Sequence, residues 1–147
     1  MPFEQYVWQG RIKGAEREYK AMRIAAMRLS NDVRNNPTLL DRELEPNDLS
    51  RAVASLEGTY VIRVFAEFET ALRSYWHVRK PRKSPQRMHD LMQSIASTCR
   101  IANEQLQNAH AVREYRNGLV HERDESPDAI PLPTARGHLC HFLRYLI

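Results

Sequence analysis

Apolar residues recur at three- and four-residue steps along most of the chain, which is the repeat of one helix face. The first such stripe comprises Ile12, Ala15, Tyr19, Met22, Ala26, Leu29 and Val33. Asn35-Asn36-Pro37 ends the pattern, because proline disfavours a helical conformation in the residue before it. The spacing therefore predicts a first helix over about residues 12–34, with these side chains on its buried face.

The longest stripe follows Asp48 and predicts a central helix. Asn47 or Asp48 is expected to cap its start. The main stripe consists of Leu49, Val53, Leu56, Tyr60, Val64, Phe68, Ala71 and Tyr75, and Val61, Phe65, Leu72 and Trp76 widen it. Gly58 interrupts the helix at a cost of about 1 kcal/mol relative to alanine. A close crossing with another helix at Gly58 would explain the glycine.

Residues 77–87 form a basic connector that contains two prolines. Ser84, which stands before a proline, predicts the start of a third helix. The apolar face of that helix carries Met88, Leu91, Met92, Ile95 and Cys99. Asn103 is expected to cap a fourth helix that runs toward His121.

The last loop is predicted over residues 124–133, which contain three prolines. Thr134 is expected to cap a final helix with Leu139, Phe142, Leu143 and Leu146 on its apolar face. The strand pattern is weak throughout the chain. The sequence thus predicts one all-α domain over residues 1–147, folded as a helical bundle of about five helices.

Length and composition fit a globular domain with a full core. The chain has 147 residues, and its 42% hydrophobic content excludes a disordered protein. No apolar run reaches the length of about 18 residues that a membrane span needs. Residues 1–13 lack the apolar core of a signal peptide, so a cytoplasmic protein is expected. Cys99 and Cys140 are expected to be reduced, buried side chains.

The basic residues favour a nucleic-acid partner. Of the 22 lysines and arginines, 18 are arginines, which bind phosphate through two parallel hydrogen bonds. A genome of high GC content is the alternative reason for so many arginines. The connector adds cations beside Tyr75 and Trp76, a combination that suits single-stranded RNA. We therefore expect RNA contacts from Arg79, Lys80, Arg82 and Lys83; the alternative is a solvated loop with both aromatic residues in the core.

The segment Arg116-Asn117-Gly118-Leu119-Val120-His121 offers the chemistry most useful for function. Arginine is a permanent forked cation that suits phosphate, and histidine exchanges protons near neutral pH. Arg136 and His141 have the same spacing, so spacing alone does not identify a site. In the first pair, Asn117 places an amide beside the guanidinium, and two apolar residues anchor the histidine. His141 lies instead in an apolar run that is typical of packing.

These side chains can cleave an RNA phosphodiester without a metal. The 2′-hydroxyl of RNA is the nucleophile, and His121 can act as general base or general acid. Arg116 can stabilise the charge that develops on the phosphate, and Asn117 can orient His121 or donate to a phosphate oxygen. Because one segment supplies one histidine, we expect a homodimer whose two-fold axis brings two segments together.

The same segment resembles the signature of the HEPN superfamily, in which an arginine, a polar residue, several further residues and a histidine follow in that order. The resemblance covers roughly residues 49–147: a long helix with internal acids, a later helix before the signature, and a final apolar helix. It implies an all-α domain, often a homodimer, that acts as a metal-independent endoribonuclease toxin in a toxin–antitoxin or antiviral system. An antitoxin protein is then a further partner.

The resemblance carries functional roles only to Arg116, Asn117 and His121. Many HEPN toxins that are paired with nucleotidyltransferases have a tyrosine two residues after the histidine. Here that position is Arg123, which departs from the pattern. Many members of the superfamily are inactive binding modules, so a silent RNA- or protein-binding module is the second hypothesis and a plain helical oligomerisation domain is the third.

Structural roles are the alternative for each candidate residue. Arg116 can form an ion pair with an acid instead of binding phosphate, and His121 can be a hydrogen-bonded histidine at a helix end. We expect Glu69 to reach the segment across the helix packing, with Tyr115 as a further supporting residue. The acids available to Arg116 are Glu69, Glu114 and Glu122. We expect no metal and no cofactor, because His138 and His141 lack a third ligand.

Overall fold

A computed structural model describes residues 3–40, 42–121 and 128–147. It contains five α-helices: α1 (Gln5–Asn35), α2 (Pro46–Arg79), α3 (Met88–Cys99), α4 (Asn103–Val120) and α5 (Leu132–Leu143). A short 3-10 turn, Pro37–Leu39, follows α1. The described ranges contain no strand, so the prediction of an all-α helical bundle is confirmed.

α2 is the central helix, because it packs against each of the other four. Its second half is buried along Val61, Val64, Phe65, Phe68, Ala71, Leu72 and Tyr75. The ring of Phe68 meets that of Phe142 from α5 edge-on, with centroids 5.5 Å apart. Ile12, Ala15 and Tyr19 of α1 join the same core cluster. The prediction that α2 occupies the centre is therefore confirmed.

Residues 20–35 of α1 and 46–58 of α2 form a two-helix arm at one end of the bundle. Val33 is the one residue of this half of α1 that is buried, whereas Met22 and Leu29 are 48% and 40% exposed. The expectation that the buried stripe of α1 includes Met22 and Leu29 is therefore wrong. α2 packs against α1 along the arm, and Met22 and Leu29 are left partly exposed to solvent.

Two helices begin at residues other than those that the sequence predicts. α1 begins at Gln5 rather than near residue 12, and Phe3 just before it packs edge-on against Tyr75 with centroids 5.2 Å apart. α3 begins at Met88 rather than at Ser84. Neither helix has a capping side chain at its start. The sequence therefore contains no capping residue that would mark the true start of either helix.

α2 begins with a different cap from the predicted one. Glu45 is the N-cap, and Pro46 occupies the first helical turn. The backbone N–H of Glu45 donates to Asp48 Oδ2 at 2.9 Å, so Asp48 supports the cap from inside the first turn. The expected cap at Asn47 or Asp48 is thus wrong by two or three residues, because glutamate is an unusual cap.

No helix in the described ranges combines the length and the apolar character that a membrane crossing requires. Cys140 is buried and Cys99 is half-buried, and both are free thiols.

Candidate functional site

The segment from Arg116 to His121 lies at the C-terminal end of α4, against the first half of α2. α4 ends at Val120, and His121 is the first residue beyond it, with an extended backbone. The His121 N–H donates to the carbonyl of Asn117 at 2.9 Å. His121 is exposed. A histidine in this position is held by its backbone and presents its ring to solvent.

Arg116 is half-buried and its guanidinium is held at two places. The carbon at its centre lies 5.5 Å from the centroid of the Phe65 ring, a cation–π arrangement with a core residue of α2. Its Nη1 donates to Asn117 Oδ1 at 2.9 Å. Its Nε atom is buried and has no hydrogen-bond partner among the described residues. Arg116 is thus oriented and still has a donor to satisfy.

Asn117 connects the two candidate catalytic residues. Its side-chain oxygen accepts from Arg116, and its backbone carbonyl accepts from His121. The side-chain amide nitrogen is the atom of Asn117 that can donate to a ligand. The bond from His121 is the ordinary backbone bond at the end of a helix. Both roles expected for Asn117, orientation of His121 and donation to a phosphate oxygen, stay predictions.

Leu119 anchors the segment on Gly58 of α2. A Cβ atom added at Gly58 would lie 3.2 Å from Leu119 Cδ2, which is tighter than ordinary contact. α4 therefore approaches α2 at Gly58 through the flexible end of a leucine side chain, and a close crossing that requires the glycine stays a prediction. Val120 is 45% exposed and contributes less to the anchor than its apolar character suggested.

The acids named as alternatives for Arg116 have other partners or lie outside the described residues. Glu69 pairs with Arg73 at 2.9 Å, and Glu114 with Arg113 at 2.7 Å. Glu122 and Arg123 fall outside the described ranges. Among the carboxylates that the structure describes, none lies within ion-pair distance of Arg116. A supporting role for Glu69 at the segment stays a prediction.

The second arginine–histidine pair has a structural environment. Arg136 Nε donates to Glu16 Oε2 at 2.9 Å and so joins α5 to α1. His141 is exposed and stacks on the ring of Tyr145, with centroids 6.0 Å apart. The expectation that His141 packs in the core is wrong, because it lies on the outer side of α5 while its neighbours Cys140 and Phe142 face inward.

Glu57 is a half-buried acid near the segment, and the sequence analysis did not identify it. Its Oε2 accepts from the Tyr19 hydroxyl at 3.1 Å, and its Oε1 accepts from the first N–H of α5, that of Leu132, at 2.7 Å. Glu57 thereby joins α1, α2 and the start of α5. Burial, and then the charge of Glu57, raise the pKa of Tyr115, which is half-buried. The sequence did contain a sign of this role. Glu57 lies four residues after Val53 and four before Val61, so a carboxylate stands on the apolar face of α2.

A histidine cluster between α3 and α4 was also missed. His110 is 6% exposed, and its Nδ1 accepts from Arg113 Nε at 3.2 Å. The neutral ring then carries its proton on Nε2, which lies 3.3 Å from Gln93 Nε2. A hydrogen bond between these two side chains requires the Gln93 amide to turn its oxygen toward the ring, because an amide nitrogen only donates. The exposed ring of His89 stacks on it, with centroids 4.7 Å apart. Burial, and then the charges of Arg113 and His89, lower the pKa of His110 to about 4.

The four basic residues expected to contact RNA occupy three different environments. Arg79 stacks on the buried Tyr75 ring, 5.1 Å from its centroid. Lys80 and Lys83 line a cavity between the end of α2 and the start of α3. Arg82 lies between them in a turn and is exposed. In this connector Arg82 is solvated, Arg79 packs on an aromatic ring, and the two lysines line a cavity.

No group of three or more histidine, cysteine or acidic side chains in the described ranges is placed to hold a metal ion. His138 and His141 therefore have no third ligand among these residues.

The chain matches no family model, no curated protein and no solved structure. Its function must therefore be argued from the residues and their geometry.

Proposed function

We propose that this protein is a metal-independent endoribonuclease of HEPN type, in which Arg116, Asn117 and His121 act on the scissile phosphate. The supporting observation is the connection of the three residues through Asn117, which bonds the Arg116 guanidinium and the His121 backbone at 2.9 Å each. An oriented cation and an exposed imidazole at the same end of α4 are suited to a phosphodiester. The biological setting that we propose is a toxin of a toxin–antitoxin or phage-defence system.

In this reaction the 2′-oxygen of RNA attacks the adjacent phosphorus after His121 removes its proton. The bond to the 5′-oxygen breaks, and that oxygen takes a proton from a second, protonated histidine. The products are a 2′,3′-cyclic phosphate and a 5′-hydroxyl. Arg116 stabilises the negative charge of the crowded phosphate through its guanidinium group. DNA lacks the 2′-hydroxyl and is not cleaved.

A homodimer completes the proposed site, because each chain supplies one His121. A two-fold axis near the end of α4 would place the two imidazoles on one phosphodiester, one as base and one as acid. Molar-mass measurement in solution at micromolar concentration tests this assembly. A strictly monomeric protein that still cleaves RNA would rule out the two-histidine mechanism.

A catalytically silent module that binds RNA or a partner protein is the second candidate. The observation that favours it is the packing of Arg116 on Phe65, a core residue, at 5.5 Å. An arginine can be retained for such packing without any reaction. The two candidates differ in whether RNA is cut.

The first experiment incubates the purified protein with single-stranded RNA in excess EDTA. We expect cleavage and ends that carry 2′,3′-cyclic phosphate or 3′-phosphate. Dependence on a divalent cation, or 3′-hydroxyl ends, would contradict the attack by the 2′-hydroxyl. Binding without cleavage would favour the silent module.

The second experiment compares His121→Ala with His141→Ala. Both residues are exposed histidines at or near a helix end, and each follows an arginine by five positions. We expect both variants to keep their stability within about 0.5 kcal/mol, since surface substitutions usually do. Only His121→Ala should abolish cleavage, and loss of cleavage in His141→Ala would assign the reaction to the wrong pair. Arg116→Lys should also be inactive, because an ammonium lacks the forked grip on phosphate.

A further inference from the structure

We propose that the cavity between the end of α2, the connector and the start of α3 binds a nucleotide, with a phosphate on its lysines and a base on its apolar wall. The cavity has a volume of about 210 Å³. Single-stranded RNA and a free mononucleotide share this chemistry. The choice of RNA as the natural source rests on the proposed function, whereas the nucleotide site itself does not.

A tight turn brings the two lysines to one edge of the cavity. The Lys83 N–H donates to the Lys80 carbonyl at 3.1 Å, and Pro81 occupies the second position of this four-residue turn. Proline at that position fixes the backbone angle that the turn needs. The first and fourth residues of such a turn lie close together. The turn therefore brings Lys80 and Lys83 near each other at the cavity. Both lysines line the cavity, and Arg82 does not.

An aromatic and aliphatic wall faces these cations. Trp76, Pro85 and Leu91 line the cavity with flat or apolar surface. The indole ring of tryptophan stacks well with nucleobases of any sequence. The indole N–H of Trp76 is buried and has no hydrogen-bond partner among the described residues.

Hydrogen bonds hold the remaining wall in place. Arg73 Nη1 donates to the Gln86 carbonyl at 3.0 Å, while its Nε pairs with Glu69 at 2.9 Å. The Ser94 hydroxyl donates to Gln86 Oε1 at 3.0 Å. The wall is thus organised without a ligand, and its lining contains no carboxylate to neutralise the lysines. Electrostatics therefore favour an anion.

The end of a helix offers a competing explanation for the cations. Lysine and arginine near a helix C-terminus interact favourably with the helix dipole, which accounts for Arg79 and Lys80 at the end of α2. It does not account for Lys83, which lies beyond the helix and still lines the cavity. It also does not account for the half-buried Trp76, which lines the same cavity.

Tryptophan fluorescence tests the proposal, because the chain contains two tryptophans, Trp8 and Trp76. The starting protein carries Trp8→Phe, so that Trp76 is the reporter, and His121→Ala, so that RNA is not consumed. It is titrated with a hexauridylate RNA, with uridine 5′-monophosphate and with inorganic phosphate. We expect saturable quenching by the RNA, weakened by added salt because phosphate contacts release counterions.

Lysine substitutions separate a site from general charge. Lys83→Ala and Lys13→Ala remove the same side chain and the same charge, but Lys13 is an exposed residue of α1 outside the cavity. We expect Lys83→Ala to weaken RNA binding by about 5- to 10-fold, and Lys13→Ala by less than about 2-fold. Arg82→Ala should weaken binding less than Lys83→Ala. Equal effects of Lys83→Ala and Lys13→Ala would overturn the proposal.

Three further results would overturn it. They are quenching by inorganic phosphate at the same concentration as the nucleotide, RNA binding seen by fluorescence polarisation without any change at Trp76, and no RNA or nucleotide binding at all. Quenching by the monophosphate with the same affinity as the RNA would keep the nucleotide site and remove the link to RNA. Binding is measured on the His121→Ala variant and cleavage on the wild type, so the two proposals can fail independently. If the wild type cleaves RNA but the variant does not bind it at the cavity, the nucleotide site alone is refuted. If the variant binds RNA at the cavity but the wild type does not cleave it, the proposed reaction alone is refuted.

Discussion

Acidification should destabilise this protein through His110. The ring is buried against α3 and accepts a hydrogen bond from Arg113, an arrangement that only the neutral ring can make. Its pKa in the folded protein is lowered to about 4, mainly by burial, whereas an unfolded chain returns it to about 6.5. Between these values the unfolded state binds more protons than the folded state. Stability must therefore fall as the pH falls below about 6.5, and the loss is complete below about 4.

The magnitude follows from the width of this interval. One pH unit of difference in pKa corresponds to about 1.36 kcal/mol. Going from pH 7.5 to pH 5 crosses about 1.5 units of the interval, so the free energy of unfolding should drop by about 2 kcal/mol through His110. Glu16 is a separate acid-sensitive group: burial raises its pKa, but Arg136 and Lys20 outweigh burial and lower it below the usual value. Its contribution is lost at lower pH, so the window above pH 5 isolates His110.

The assay is urea unfolding followed by far-ultraviolet circular dichroism at several pH values between 5 and 7.5. His110→Gln is the comparison variant, because it keeps a polar side chain in the same place and does not titrate. His89→Gln controls for the exposed ring stacked on His110. The wild type should lose about 2 kcal/mol more than His110→Gln across the window. Equal slopes for the two proteins, or a wild type that gains stability on acidification, would refute the reasoning.

Two further predictions concern the contact of α2 with its neighbours. Glu57→Gln should lower the free energy of unfolding by about 1–3 kcal/mol in urea titrations, because a charged acceptor of two buried donors is lost. The control is Glu67→Gln, at a half-exposed acid of the same helix, which should lower the free energy of unfolding by less than about 0.5 kcal/mol. Gly58→Ala should stabilise by less than about 1 kcal/mol, since alanine favours the helix and the half-exposed Leu119 can move aside. Gly58→Val should instead destabilise and reduce RNA cleavage, and thermal unfolding with a cleavage assay would show both effects.

The helices could be predicted because their buried faces repeat with the helical period. α2 shows this best: its stripe from Val61 to Tyr75 is buried as the spacing indicated. The same spacing failed at Met22, because periodicity identifies an apolar face but not whether a third helix is present to cover it. Helix starts failed where the chain uses no standard capping residue. Glu45 is such a case, since glutamate rarely caps a helix.

The candidate site was only partly accessible from sequence. Local spacing pointed to the segment from Arg116 to His121, and the structure joins its ends through Asn117. Contacts between distant parts of the chain leave no spacing pattern in the sequence. The cation–π contact of Arg116 with Phe65, which joins two helices, could therefore not be predicted. Glu57 was overlooked for the same reason, because its partners Tyr19 and Leu132 lie far from it in the chain. Polar residues at apolar stripe positions are the clue that sequence reading should weigh more heavily.

The two-helix arm has a consequence for how the protein opens. Val33 is the one buried residue within 20–35 and 46–58, whereas the second half of α2 has seven buried residues in the core. Opening the arm therefore exposes little apolar surface, and its backbone amides should exchange with deuterium through local fluctuations that denaturant scarcely accelerates. The amides of residues 61–75 should exchange only when the whole bundle unfolds. One continuous helix thus belongs to two cooperative units, and the boundary between them falls at the Glu57–Gly58 crossing, beside the segment that carries the candidate chemistry.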